Sequence, residues 1–225
     1  MPVDSIINVN GDSVQALDIT LLLVIIALLP TLVVMMTSFT RYVISFSFLR
    51  TAMGTQQTPP NMVLVGMALI LTLFTMTPAM NEIKTTAYDP YVAGTIGQEE
   101  FFNRAQVPLK EFMLRNTEPA SLELFCNMAG ETPPATEEEL DQSVNLPITV
   151  IVPAFVASEL KAAFWIGFLV YIPFMLIDVI VSSTLMSMGM IMLPPSMIST
   201  PFKILLFIML DGWQLLFSTL IRTVK

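Results

Sequence analysis

The feature that most constrains the fold is an apolar stretch from Pro153 to Trp213 that contains a few ionisable residues. Leu, Ile, Val, Phe and Met make up most of it. A transmembrane helix needs about 20 such residues, so the stretch is long enough to cross a bilayer more than once. Ionisable side chains in such a segment are costly unless they are paired or functional. The embedded charges are Glu159, Lys161, Asp178, Lys203 and Asp211.

The composition of the whole chain agrees with a membrane protein. Of its 225 residues, 54% are hydrophobic and only 12% are charged, about half the charged fraction of a typical soluble domain. Two further uncharged runs, Ile19–Thr40 and Thr51–Asn81, each reach the length of a membrane span. We therefore predict an all-α membrane protein with about four hydrophobic helices and a small helical excursion outside the membrane.

The N-terminal part predicts a polar segment, residues 1–17, and a transmembrane hairpin, residues 18–80. The first span runs from about Asp18 to Phe39, and the second from Asn61 to Met80. Between them Arg41 and Arg50 predict a cytoplasmic loop, because such loops are enriched in basic residues. The alternative is that both arginines extend from helix ends toward the membrane surface.

Residues 81–150 predict an acidic helical segment on the periplasmic side. The range 81–147 contains twelve acidic and four basic residues, a net charge of −8 that equals the charge of the whole chain. This acidity argues against nucleic acid as a partner, since phosphates are bound by Lys and Arg. Apolar residues near a 3.6-residue period predict a helix over Gln98–Arg115. Thr136, followed by three glutamates, predicts a helix N-cap.

Residues 151–225 predict a C-terminal helical region. The apolar run from Pro153 to Gly189 would be about 55 Å long as a helix, against a hydrocarbon core of about 30 Å. Either one helix kinks at Pro173, or two short helices form a hairpin. A last helix is predicted from Pro201 to about Thr223, with a proline at its first position.

The embedded charges allow three interpretations. Asp178 and Asp211 could form a paired-carboxylate site, but neither lies in the glycine-flanked motif of an intramembrane aspartyl protease. Glu159, Asp178 and Asp211 could form a proton or ion relay. Alternatively, the charges pair across helices or subunits, because an unmatched buried charge costs more than a pair gains. The chain contains no histidine and a single cysteine, and we expect no catalytic site, metal or cofactor.

Four methionines alternate over a short stretch between apolar helices. If Met186, Met188, Met190 and Met192 lay on a helix they would form two stripes, whereas an extended loop would point all four the same way. Gly189 and the prolines that follow favour a loop. Methionines often fill cores, but thioether side chains also repack readily around a passing molecule.

Three stretches resemble the sequence signatures of one family. These are PAFVASELKAAFWIGF at Pro153–Phe168, LMSMGMIMLPP at Leu185–Pro195 and PFKILLFIMLDGW at Pro201–Trp213. They are similar to the FliP family, called SctR in virulence secretion systems, whose members are membrane subunits of the type III export gate. The layout agrees over nearly the whole chain, but the specificity lies in its last third.

The resemblance implies a function and an assembly. It implies a subunit of the gate through which unfolded flagellar proteins leave the cytoplasm, in the bacterial inner membrane within the flagellar basal body. The expected assembly is a homopentamer with FliQ-like, FliR-like and further export-apparatus subunits, raised out of the membrane plane. Its methionine loop would close the channel, and the family motifs favour an intersubunit pair between Glu159 and Lys203. The alternative function is an ion-coupled transporter or channel that uses intramembrane carboxylates.

Overall fold

A computed structural model describes residues 7–9, 12–14, 16–55, 57–134, 142–190 and 192–224. A short hairpin at the N-terminus precedes a set of helices. The elements are β1 (Ile7–Val9), β2 (Asp12–Val14), α1 (Ala16–Met35), α2 (Phe39–Ala52), α3 (Asn61–Ile83), α4 (Asp89–Val92), α5 (Gln98–Arg115), α6 (Pro119–Ala129), α7 (Ile148–Ser187), α8 (Pro195–Met209) and α9 (Gly212–Arg222). A π-helical turn, Lys84–Tyr88, joins α3 to α4, and a 3₁₀ turn, Gln142–Asn145, precedes α7.

The predicted all-α membrane fold is confirmed, apart from the antiparallel pair β1–β2. Within the described residues, two helices have the length and composition of a membrane span: Asn61–Val92 and Ile148–Ser187. The pair α8–α9 would supply a third span, bent by 65°. The predicted count of four spans is not confirmed. The N-cap predicted at Thr136 lies outside the described residues.

The prediction of a loop around Arg41 and Arg50 is wrong, because residues 39–52 form the helix α2. One face of α2 is buried, and the buried positions recur every three or four residues as in an amphipathic helix. Their members are Arg41, Tyr42, Ser45, Phe46, Leu49 and Ala52. The first predicted span accordingly ends at Met35 rather than at Phe39.

The third hydrophobic region forms one unbroken helix through Pro173. α7 has 40 residues, which corresponds to about 60 Å. It packs against α2 at a point where Gly167 leaves no space for a side chain, since a Cβ there would lie 2.5 Å from the ring of Phe48. Of the two alternatives, the hairpin is wrong, since α7 is a single helix. This helix extends well beyond the thickness of a hydrocarbon core.

The predicted last helix is wrong in two respects. It begins at Pro195, so Pro201 lies inside α8 rather than at its first position, and it breaks between α8 and α9. Asp211 takes a left-handed conformation with φ of 48°, which L-residues other than Asn and Asp rarely adopt. Gly212 follows, and a Cβ there would lie 2.2 Å from the ring of Phe207. The ring of Phe207 therefore packs directly against Gly212 at the bend.

Two clusters of buried apolar side chains lie along α7. The first joins α2, α3, α7 and α9 and includes Phe46, Leu49, Ile166 and Leu220. The second joins α3, α5, α6 and the start of α7 and includes Met113, Cys126, Ile151 and Phe155. At the edge of the second cluster, the buried Lys110 ammonium donates to the carbonyls of residues 144 and 146, each at 3.0 Å. This contact fixes the chain that leads into α7.

Candidate functional site

The first ion pair lies between the two apolar clusters and joins α2 to α7. Arg41 donates from Nε to Glu159 Oε2 at 2.8 Å and from Nη2 to Oε1, a bidentate arrangement. Their side chains are 4% and 1% exposed. A planar guanidinium matches both carboxylate oxygens, which makes this the strongest type of protein ion pair.

Arg41 also binds the end of a third helix. Its Nη1 donates to the carbonyl of Thr223, the residue directly after α9. The last carbonyls of a helix lack intrahelical donors and carry a partial negative charge, so a cation is favourable there. We call Arg41, Glu159 and the Thr223 carbonyl the glutamate site. It connects α2, α7 and α9.

The second ion pair lies further along α7 and joins it to α8. Lys203 Nζ donates to Asp178 Oδ2 at 2.6 Å. The hydroxyl of Ser199, one turn earlier on α8, donates to Asp178 Oδ1 at 2.7 Å. The lysine side chain is 6% exposed, but that of the aspartate is 36% exposed. This pair therefore has a solvent-accessible side.

Lys203 also binds a helix end. Its Nζ donates at 3.0 Å to the carbonyl of Ala52, the last residue of α2. The chain then turns at Gly54, whose φ of +74° favours glycine. A Cβ at Gly54 would lie 3.1 Å from Thr200 Oγ1 and 3.9 Å from Lys203 Nζ. We call Asp178, Ser199, Lys203 and the Ala52 carbonyl the aspartate site.

Within one chain, Glu159 pairs with Arg41 and Lys203 pairs with Asp178, and the expected intersubunit pair of Glu159 and Lys203 stays a prediction. Glu159 and Asp178 are 19 residues apart on one helix, or about 28 Å. Because Lys203 contacts Asp178, its ammonium cannot reach Glu159 in the same chain. In this chain both oxygens of Glu159 accept from Arg41, and its side chain is almost fully buried.

The remaining predicted charges lie at the surface. Lys161 contacts both oxygens of Glu118 at 2.6 and 2.7 Å, with the lysine side chain 68% exposed. Asp211 is exposed at the helix break and has no ion pair within the described residues. Arg50, at the end of α2, donates to the Asn61 side chain. Of the two predicted loop anchors, only Arg50 lies near the surface, because Arg41 belongs to the glutamate site.

The predicted methionines are exposed where α7 turns back into α8. We call residues 186–192 the methionine turn. The exposed fractions of Met186, Met188, Met190 and Met192 are 70%, 68%, 40% and 99%. Gly189, with φ of +76°, forms the turn. Four large apolar side chains without a charge between them are thus available for contacts outside the chain.

Together, the long apolar helices, the buried ion pairs and the exposed apolar turn define a polytopic helical membrane protein. Among the described residues, no three His, Cys, Asp or Glu side chains are placed to hold a metal ion. A family model described as the FliP family matches residues 22–220. The chain belongs to this family.

Individual relatives agree over most of their length. The chain is 47% identical to the flagellar biosynthetic protein FliP of Bacillus subtilis, over 93% of this chain and 92% of the relative. It is 43% identical to FliP of Aquifex aeolicus, over 95% and 88%, respectively. It is 47% identical to FliP of Pectobacterium carotovorum, over 95% and 81%. The resemblance of the three sequence signatures is therefore confirmed.

Proposed function

We propose that this chain is a subunit of the type III export gate and forms part of the channel that takes unfolded flagellar proteins across the bacterial inner membrane. Membership of the FliP family and the names of its relatives support this assignment. The helices with the character of membrane spans support a place in a membrane.

The observation that carries the proposal is the exposure of the methionine turn. A channel for unfolded chains has to admit varied side chains and yet retain ions when it is idle. Unbranched thioethers from several subunits would meet both demands, because each changes rotamer at little cost. Met192 is 99% exposed and Met186 is 70% exposed, so their side chains are free to meet those of neighbours. Gly189 allows the turn to bend.

The assembly follows from the same assignment. The proposed gate is a homopentamer with FliQ-like and FliR-like subunits and further export-apparatus partners. Large apolar side chains along α7 and α8 are exposed in the single chain, which fits helices that contact protein or lipid in an assembly. Examples are Leu176, Val179, Ile180, Leu205 and Ile208.

We place residues 18–80 as a transmembrane hairpin, residues 81–150 on the periplasmic side, and residues 151–225 as the helical region that lines the channel. The acidity of the second segment supports its exposure to water. The cytoplasmic end of the hairpin would be marked by Arg50. The ion-coupled alternative loses support at the glutamate site, because both oxygens of Glu159 already accept from Arg41.

The test of the proposed function is replacement of Met188, Met190 and Met192 together by Ala. We expect normal assembly but a leak of small ions across the inner membrane, largest while export is active. Met197→Ala is the matched control, because Met197 is 71% exposed but lies on α8 outside the turn. If the triple variant retains its ion gradients as well as this control does, the methionine turn does not close the channel.

A further inference from the structure

A small pocket lies at the surface, at the break between α8 and α9. Its volume is 290 Å³, slightly below the roughly 300–1,000 Å³ of sites that hold whole small molecules. A single side chain of another protein therefore fits it better than a separate ligand does. The pocket is lined by Phe207, Ile208, Asp211, Gly212, Trp213 and Gln214.

Two aromatic rings form walls of this pocket. The ring centroids of Phe207 and Trp213 are 5.3 Å apart, and the ring planes meet at 88°. Both side chains are only partly buried, so part of each ring remains open to a neighbour. Trp213 is also held by Phe217, whose ring centroid lies 5.8 Å away. The face of an aromatic ring attracts a cation, and tryptophan does so most strongly.

Asp211 adds a carboxylate that is not used elsewhere in the described part of the chain. It directly precedes α9, where an aspartate usually accepts from the first N–H groups of the helix, but its side chain makes no such bond. It also has no ion pair with any other residue that the structure describes. The end of α8 and the start of α9 meet here with opposite partial charges, which offset each other. The carboxylate therefore makes the pocket negative.

We propose that this pocket binds an arginine side chain of a partner subunit whose sequence differs from that of this chain. The guanidinium stacks on Trp213, and its N–H groups donate to the Asp211 carboxylate. A lysine ammonium would match the charge, but it can neither stack on a ring as a plane nor bind both carboxylate oxygens in parallel. The inference rests on the proposed function, because it requires an assembly of several kinds of subunit.

A second copy of this chain fits the pocket less well. Among the described residues, Arg222 at the end of α9 is the arginine that has neither a hydrogen bond nor an ion pair. It follows Asp211 by eleven residues, or about 16 Å along the helix axis. In a closed ring of parallel copies, equivalent residues lie at one height. The arginine of one copy would then lie far from the level of the aspartate of the next, so the proposed homopentamer leaves the pocket free for a different subunit.

The experiment uses the full chain in detergent with Trp165→Phe, which leaves Trp213 as the single tryptophan. Trp165 is 63% exposed and lies on α7, outside the pocket. The probe is Nα-acetylarginine amide, and its matched control is Nα-acetylcitrulline amide, in which a neutral urea group replaces the guanidinium. We expect a saturable change in Trp213 fluorescence, with half-saturation at about a tenfold lower concentration for the arginine derivative.

In the same background, Asp211→Asn should abolish the difference between the two probes. It removes the charge but keeps a residue that tolerates the left-handed backbone, so helical circular dichroism should equal that of the parent. Asp89→Asn is the control, because Asp89 is an exposed acid of α4 outside the pocket. This variant should keep the tenfold difference.

Equal binding of the two probes would overturn the proposal, as would an undiminished preference in Asp211→Asn. Tighter binding of Nα-acetyllysine amide than of the arginine derivative would overturn the choice of arginine. If Trp213 fluorescence instead changes with protein concentration alone, and Arg222→Gln abolishes that change, the pocket binds a second copy and not a different subunit. These measurements do not involve the channel, so their failure and a failure of the ion-leak test are distinguishable.

Discussion

The glutamate site and the aspartate site are built alike but differ in their contact with solvent. In each, a carboxylate of α7 binds a cation from another helix, and the same cation binds a carbonyl at the end of a third element. The glutamate site uses an arginine with two parallel contacts, and both side chains are almost fully buried. The aspartate site uses a lysine, and its acid is about a third exposed.

This difference has a direct energetic consequence. A carboxylate that reaches water can be solvated when its partner leaves, whereas a buried one remains without compensation. Disrupting the glutamate site should therefore destabilise the whole helical set. Disrupting the aspartate site should loosen mainly two elements: α8, which follows the methionine turn, and the end of α2.

The largest expected effect is that of Glu159→Gln. It leaves the Arg41 guanidinium buried without an acid, which should destabilise the chain by about 3–5 kcal/mol and lower Tm by roughly 10 °C. Thermal loss of helical circular dichroism in detergent measures this. The double variant Arg41→Met, Glu159→Leu should recover much of the loss, because it removes both charges. A single variant as stable as the parent would contradict the assignment.

A smaller loss is expected for Lys203→Met, about 2 kcal/mol. Asp178 stays partly solvated and still accepts from Ser199. The measurement is resistance to limited proteolysis, which should fall near residues 52–60 and 193–203 before the rest of the chain is cleaved. Exchange of the two charges, Asp178→Lys with Lys203→Asp, should restore part of this resistance if they are partners. Cleavage spread evenly over the chain would instead mean that the aspartate site, like the glutamate site, stabilises the whole helical set.

Gly54→Ala isolates the backbone beside the aspartate site. Its φ is +74° and the new Cβ would lie 3.1 Å from Thr200 Oγ1. Gly94→Ala is the matched control, with φ of +72° and open space around it. Both variants acquire the same left-handed strain, so an excess loss of about 1 kcal/mol at Gly54 would report the crowding alone. Chemical denaturation of the two variants side by side measures their free energies of unfolding. Equal losses of stability would show that Thr200 and α8 shift at little cost to make room for the new methyl group.

The smallest effect belongs to the surface pair of Lys161 and Glu118. Lys161→Ala should change stability by about 0.5 kcal/mol or less, because exposed pairs contribute little. That small change should disappear at high salt. Melting curves at low and high ionic strength test both statements. A loss comparable with that of Lys203→Met would mean that the contribution of an ion pair to the stability of this molecule does not depend on its exposure.

Sequence reasoning succeeded where the signal is local. Periodic apolar residues gave α5 its bounds, and the length and mostly apolar composition gave the character of α7. It failed at α2 because two arginines near a turn were taken as solvated. The signal that α2 is a buried helix was present in the spacing of Tyr42, Phe46 and Leu49, which share a face with Arg41.

The pairing of the charges was out of reach for a different reason. Arg41 and Glu159 are separated by 118 residues, and no local rule selects one distant arginine over a nearer lysine. The break at Asp211 was signalled by the dipeptide Asp-Gly, a frequent turn, but the apolar residues on both sides favoured one continuous helix. The departure from regular helix after Ser187 was signalled by Gly189 and the prolines that follow, whereas the exposure of the methionines was not predicted.

The length of α7 sets a demand on positional accuracy at its far end. From Glu159 to Met186 the helix covers 27 residues, or about 40 Å. If the glutamate site acts as a pivot, a tilt of about 5° at Glu159 moves Met186 by roughly 3.5 Å, close to one van der Waals contact distance. Stiff side chains at that radius would tolerate little angular error between copies. Methionines absorb it in their three rotatable bonds, so small errors of angle need not open gaps between the tips of long helices.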